Sequence, residues 1–495
     1  MINQMSRHGN LLLGIDIGTG SCKLHIIDTT GNHVKSASAS YPTFYPRPRW
    51  VEQEPKSWWR AVAYLLQQCK GALRDVTCLA LSSQMETVVP VNKHGQALRR
   101  AIVWSDQRSE MECDRITKLI GERAAHKITG CRIDPMHSGP KILWIKHNQR
   151  EKYLKAFKFL NPKDFVNHHL TGEFATDYST ASSSLLFDVS DKNWSHEILT
   201  RVGIPTEKLP DTYPSSSIIG EVTTEAAKLT GLKAGTPVVA GGGDTPCTAL
   251  GCGVFEPKQG LLYLGSSASL YSMVAKPLLD RKMRLVTRCH VIDRIWTVGG
   301  GMTTAGSCIT WLRDLVSDSQ GNVITKMLRE ASEIEYGSNG LLFIPNLMGE
   351  RNPHYRLKSA GAFIGLTLSH KRSHFTHAVL EGVGMQLYSI LQAMKDAGVR
   401  PAAIRATGGG TNYPLWNQIL SDVSGIKFTV PAVSSPEALG AAMLAGMGIR
   451  EIKDLRKFAD RMIATRKYIV PRKHAAGTYK RIFKRYSAVL EALQM

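Results

Sequence analysis

Asp16 stands in an apolar run, Leu11 to Ile17, that ends at the turn Gly18-Thr19-Gly20-Ser21 and is followed by a second apolar run to Asp28. A carboxylate buried in a strand is costly unless it is paired or faces a cation. Mg2+ carried by ATP suits such a place, because it keeps several waters and needs few protein carboxylates. The competing reading is an aspartate that caps its own turn. Thr19, Gly20 and Ser21 can bring backbone N–H groups close to a phosphate, since glycine puts no Cβ in the way, and Lys23 can add charge. A single turn of this kind is also what any tight hairpin uses. The chain repeats the pattern, however, in Gly260 to Leu264, the turn Gly265-Ser266-Ser267 and a second run from Ala268. Two such turns, one in each half, can hold a nucleotide's phosphates from both sides. They predict an ATP-using enzyme with its site in a cleft between two related domains.

Asp244 follows Gly241-Gly242-Gly243. The run Thr236 to Ala240 predicts a short strand, and the small residues to about Gly253 predict a helix. Asp244 therefore falls at a strand-to-helix junction, where the helix N-terminus stabilises a carboxylate and the glycines leave room for a substrate. Within reach of a hydroxyl, such a carboxylate can take its proton as the oxygen attacks phosphorus; a plain N-cap is the alternative. Gly408-Gly409-Gly410, after a predicted strand at Ile404 to Ala406, can let a flat adenine lie against backbone, or can be only a loop. Ser82 to Thr87 is rich in hydrogen-bonding side chains, among them Gln84 and Glu86 around Met85. Polyols need such groups and an apolar wall such as Trp104. The alternative is a surface loop with one core methionine.

These residues need elements to hold them. Trp58 to Cys69 predicts a helix and Val76 to Ser82 a buried strand. A more polar helical region to about Asp211 predicts an insertion that shapes a substrate pocket. The second half repeats the logic of strand, glycine cluster and helix, with a helix from about Pro414 and a small-residue helix at Pro436 to Gly446, so we infer a duplication. Pro257 and its charged neighbours interrupt the pattern. The division expected is 1–256 with the sugar pocket, the first hairpin and Asp244, 257–450 with the nucleotide site, and a basic helical segment 451–495. In that last segment Ile482, Phe483, Tyr486, Val489, Leu490 and Leu493 have helical spacing.

At 495 residues the chain can bury two or three cores, and its 43% hydrophobic content is ordinary. No apolar run approaches the ~20 residues of a membrane span, and Asp16 interrupts Leu11-Leu12-Leu13 too soon for a signal-peptide core. We expect a cytoplasmic protein without a membrane partner. The nine cysteines include no C-x-x-C pair and read as reduced thiols. The net charge of +21 could attract nucleic acid, but no aromatic-interleaved RNA motif or zinc finger accompanies it. The basic balance is assigned instead to a phosphate-attracting cleft and a solvated face. The partner expected is a small sugar or polyol, with a homodimer as a further expectation.

Several longer segments resemble the FGGY family of carbohydrate kinases, from about Leu12 to Gly446. Met136-His137-Ser138-Gly139-Pro140-Lys141-Ile142-Leu143-Trp144-Ile145 is similar to the family's first signature. Gly361 to Leu366, His374-Phe375 and Ala378 to Glu381 are similar to the second. Glu350 to His354 and Trp311 to Asp314 resemble further recurrent segments. The resemblance implies an α/β fold of duplicated ribonuclease-H-like, or actin-like ATPase, domains closing on ATP and Mg2+. It implies that Asp244 is the catalytic base and that Thr19, Ser21, Ser266, Gly306, Thr310 and Gly410 lie near the nucleotide. It puts Gln84, Met85, Glu86, Trp104 and Asp106 in the sugar pocket. The pocket is a hybrid. Gln84-Met85 resembles xylulokinase, which has His in place of Glu86. Glu86-Thr87 resembles glycerol kinase, which has Arg in place of Met85 and Tyr in place of Met136. Thr245 matches neither. The expectation is ATP-dependent phosphorylation of a terminal hydroxyl of a ketose or polyol; a sugar-responsive regulatory protein on the same fold is the alternative.

Overall fold

The computed structural model describes residues 10–316 and 322–492; Leu493 lies outside them. The first sheet contains β1 (Leu11–Ile17), β2 (Ser21–Asp28), β3 (His33–Ser40), β4 (Val76–Ser83), β5 (Ile218–Glu221) and β6 (Pro237–Gly243), in the order β5-β6-β4-β1-β2-β3. The second contains β7 (Gln259–Leu264), β8 (Ala268–Val274), β9 (Val286–Cys289), β10 (Trp296–Met302), β11 (Ala403–Thr407), β12 (Phe428–Pro431) and β13 (Thr465–Ile469), in the order β9-β10-β8-β7-β11-β12-β13.

Both sheets share one plan. An antiparallel meander (β1-β2-β3; β7-β8-β10) is followed by two strands parallel to its first (β4 and β6; β11 and β12). The duplication is therefore real, with one change in its alignment. Topology equates β11 with β4, so Gly408 to Gly410 correspond to the loop after Ser83 rather than to Gly241 to Gly243. The partner of β6 is β12. The glycines after Ala240 also belong to β6. Gly241 has φ +76°, and the pairing with β4 slips between Val239 and Gly242. A Cβ on Gly241 would lie 1.9 Å from Leu81 O, so the irregularity requires glycine.

All of β1 is buried, as expected for a central strand covered on both faces. The period of two sends Leu11, Leu13, Ile15 and Ile17 into one core with Trp58, Val62, Leu65 and Leu66 of helix α1 (Pro55–Gln68). Pro55 opens α1, where its missing N–H costs nothing. Leu12 enters another core with Ala441, Leu444 and Ala445. Gly14 and Asp16 share Leu12's face, so Asp16 points towards the helices between the sheets.

Those helices are α2 (Asp244–Gly251), after β6, and α3 (Pro436–Gly448), after β12. They cross at backbone contact. A Cβ on Gly251 would lie 1.9 Å from Pro436 O, one on Gly440 2.0 Å from Cys247 O, and one on Gly14 1.9 Å from Ala438 O. Small residues were read here as a helix; their spacing is what lets the halves touch. The helical region between Arg108 and Asp211 is not all insertion. Helix Pro162–Thr171 opens with an Asn161/Asp164 capping box and packs on the first sheet. The chain's end docks on the second domain. Tyr479, Tyr486 and Leu490 of helix Ala475–Ala492 are buried, and Tyr486 donates a 2.9 Å hydrogen bond to Gln386 Oε1.

Candidate active site

The two hairpin turns sit at the ends of equivalent strand pairs. Thr19 and Gly20 are exposed and Ser21 half-buried; Ser266 is exposed beside Gly265. The second turn is backed by a helix. The N–H groups of Ala305 and Gly306, at the start of helix Gly306–Val316, donate to Ser266 O (2.7 Å) and Gly265 O (2.9 Å). A Cβ on Gly306 would lie 2.6 Å from Gly265 O, so this approach also requires glycine. Thr310 lies one turn along, donating to Gly306 O at 3.3 Å. Gly408 has φ +98° and packs on Leu264, as does Gly410. Nothing would crowd a Cβ on the exposed Gly409, which leaves open space over this part of the second domain.

Asp16 accepts a 2.9 Å hydrogen bond from Ser82 Oγ on the neighbouring strand and is 2% exposed. Its carboxyl is held well above the ordinary range by burial, then by Glu437 and Asp244, with Lys23 opposing. Glu437 was not anticipated. It lies in the first turn of α3 and forms an ion pair with Lys23 across the cleft. Asp244 opens α2 and accepts the Thr245 N–H at 2.7 Å. Burial, then the charges of Glu86 and Glu437, push its carboxyl up to about 7. Asp16, Asp244 and Glu437 thus form an electrostatically strained acidic floor beside one ammonium. Among the described residues no group of three or more His, Cys, Asp or Glu is arranged to hold a metal by itself.

The loop after β4 faces this floor. A Cβ on Gly243 would lie 2.5 Å from Met85 Sδ, which seats Met85 directly against the residue before Asp244. Glu86 has φ +57°, a left-handed conformation uncommon for a long side chain and often kept at functional sites. Lys141 holds this conformation in place. Fully buried, its ammonium donates to the carbonyls of Glu86 (2.9 Å), Trp104 (3.3 Å) and Met136 (2.5 Å). The lysine of the first signature-like segment therefore ties three pocket segments together, and burial lowers it to about 7. Gln84 donates to Gln53 Oε1 at 2.7 Å, and Gln53 in turn donates to Thr19 O at 2.5 Å. Trp104 is half-buried, with its Nε1–H on Thr19 Oγ1. Asp106 is fully buried, and its oxygens accept from Arg108 and the Val51 N–H; it braces the segment behind Trp104.

Sequence reasoning missed the second domain's share of this pocket. Arg288 of β9 brings Nη2 to 2.8 Å from Glu86 Oε1, and Arg351 Nη2 lies 3.3 Å from Asp134 Oδ1. It also missed a buried strut behind Asp244. The Gly243 N–H donates to Ser179 Oγ (3.0 Å), Ser179 and Ser215 donate to Asp177, and Lys163 Nζ lies 3.1 Å from Asp177 Oδ1 and 2.6 Å from Asp164 Oδ1.

Comparison with known proteins finds a match in each half of the chain. The FGGY family of carbohydrate kinases, N-terminal domain, matches residues 11–251, and its C-terminal domain matches residues 262–449. The chain belongs to this family. It is 32% identical over 450 residues to a xylulose kinase of Escherichia coli, covering 90% of this chain and 91% of that protein. It is 30% identical over 495 residues to a gluconokinase of Bacillus subtilis, covering 97% and 96%. The crystal structure of a xyloylose kinase from Brucella ovis superposes with a TM-score of 0.91 at 28% identity, covering 98% of this chain and 99% of that one. The fold is thus the two-domain actin-like one, and the protein is an ATP-dependent carbohydrate kinase acting on a sugar hydroxyl; nothing favours a purely regulatory role. No helix of the kinase among the described residues is long and apolar enough to cross a membrane.

Proposed function

We propose that the kinase phosphorylates a terminal hydroxyl of a small neutral ketose or polyol, with Asp244 as the base. The observation that carries this is Asp244 itself: a carboxyl at the start of α2, beside the Gln84–Glu86 loop, whose pKa of about 7 suits proton transfer near neutral pH. Gln84, Met85, Glu86 and Trp104 form the acceptor pocket, and Asp106 supports it through Arg108. Thr19, Gly20, Ser21 and Lys23 face the phosphates from one side. Gly265 and Ser266 face them from the other, with Gly306 and Thr310 behind that turn. Gly409 and Gly410 border the base site.

Asp16 fits a role towards Mg2+. Its carboxyl is buried and crowded by Glu437 and Asp244, so a divalent cation would supply the positive charge that Lys23 alone does not. Bound with ATP, Mg2+ neutralises charge on the transferring phosphoryl group. The chain's own residues do the rest. Asp244 receives the acceptor's proton, the paired turns align the phosphates, and contact between the domains excludes water.

All nine cysteines are free and buried, which supports a reducing, cytoplasmic setting. A homodimer remains part of this reading and is tested by light scattering. The function is tested by ADP release across pentuloses, hexuloses, tetruloses and alditols, with 31P NMR of the product. A terminal phosphate ester of a neutral acceptor is expected; phosphorylation of sugar acids alone would overturn the reading.

A further inference from the structure

The acceptor pocket contains one charge pair that no single half of the chain could make. Glu86 comes from the loop after β4 in the first domain and Arg288 from β9 in the second. Their side chains are 5% and 13% exposed. The contact is close but incompletely bonded: among the described residues, Glu86 Oε1 accepts no aligned hydrogen bond and Arg288 Nε donates none. Gln84 Oε1, on the same loop, is also buried without a donor. Two acceptors and one donor are therefore uncommitted, matching a ligand with two hydroxyls to donate and one oxygen to accept.

The neighbouring cations are already engaged. Arg351 faces Asp134, and the Lys141 ammonium is taken by three carbonyls. Cys131 and Tyr271 flank Arg288 and bring no fixed charge at neutral pH. Glu86 cancels Arg288, so no free guanidinium faces the ligand. A neutral polyhydroxy compound meets paired groups. A sugar acid would bring a carboxylate to an Arg288 already paired with Glu86.

We propose that the Glu86–Arg288 pair is the specificity-determining device for acceptor charge. It admits neutral ketoses and polyols and rejects aldonates, and removing the Glu86 charge would turn Arg288 into a carboxylate-binding group. The inference rests on the acceptor reading above. Like-charge contact is an effective means of rejecting a wrong partner, and a freed guanidinium is a strong carboxylate ligand.

The test compares kcat/KM for a neutral ketopentose and for gluconate in wild type, Glu86→Gln, Glu86→His and Arg288→Gln, each at pH 8 with its thermal midpoint recorded. For both Glu86 variants the gluconate-to-ketopentose ratio should rise by about 100-fold, whereas Arg288→Gln should weaken the ketopentose without any gain on gluconate. The two Glu86 replacements differ in shape, so one that fails to fold leaves the other to read. A ratio unchanged within about threefold in a folded Glu86 variant overturns the role of the pair alone. A wild type that prefers gluconate to every neutral acceptor overturns the acceptor reading as well.

Discussion

The indole N–H of Trp104 donates a 3.0 Å hydrogen bond to Thr19 Oγ1, joining the proposed wall of the acceptor pocket to the first hairpin turn. Trp104→Phe keeps an aromatic wall but deletes the donor. We expect KM for ATP and for the acceptor each to rise about 3–10-fold, with stability changed by less than about 1 kcal/mol, because one partly exposed hydrogen bond is lost. Initial-rate kinetics varying both substrates, with a thermal melt, check this; an increase in one KM alone would place the two sites out of contact.

The pH dependence follows from Asp244. Its carboxyl titrates at about 7 and must be ionised to accept a proton, so kcat/KM should fall as pH drops through that value. Glu86 is the second-largest cause of the shift, after burial. Glu86→Gln should therefore move the acid limb to lower pH. A limb that stays in place, or moves up, would separate Asp244 from the limiting ionisation.

The same shift carries a sign for stability. The folded protein holds the Asp244 proton up to about pH 7, whereas the unfolded chain releases it near the ordinary carboxylate value. The folded state binds more protons across that window, so the group's contribution to stability falls as pH rises through it. Asp244→Asn removes the penalty. Without Mg2+ at pH 8 it should stabilise the protein by about 1–3 kcal/mol, with little effect at pH 4. Denaturant melts at the two pH values measure the difference.

Ser179 receives the Gly243 N–H while bonded to Asp177, so it fixes the peptide that aims Asp244. Ser179→Ala should lower kcat about tenfold or more with KM for ATP unchanged, since misplacing a catalytic group acts on the chemical step. A loss of stability with kcat intact would make the strut structural only.

The helix crossing leaves no room for a side chain at Gly440. A Cβ on Gly440 would lie 2.0 Å from Cys247 O, where neither backbone can yield separately. Gly440→Val should cost more than about 3 kcal/mol through overpacking and yield little soluble protein. A folded, active Gly440→Val would contradict the backbone contact.

Much of this was legible in the chain. The hairpins announce themselves through apolar runs meeting Gly-Thr-Gly and Gly-Ser-Ser turns, and Asp16 is conspicuous because a charge interrupts such a run. Helix α1 is legible from Trp58, Val62, Leu65 and Leu66. The repeat was legible but misaligned, because Gly241 and Gly408 were equated although each answers its own steric need, against Leu81 O in one sheet and Leu264 O in the other. Arg288 and Glu437 were not legible. One lies in an ordinary strand and the other looks like a first-turn helix glutamate. Only the closing of two domains puts them beside Glu86 and Lys23. Lys163 and Asp177 lie within the first domain and were hidden for another reason: they are buried charges recognised only by their partners.

In the proposed reaction Asp244 takes the acceptor's proton during phosphoryl transfer from ATP. The most direct measurement is acceptor-dependent ADP formation by wild type and Asp244→Asn, with a neutral acceptor, ATP and Mg2+ all saturating. A fall in kcat of about 1,000-fold or more is expected, with KM for ATP within about threefold of wild type. An Asp244→Asn enzyme that turns over at near the wild-type rate would contradict it.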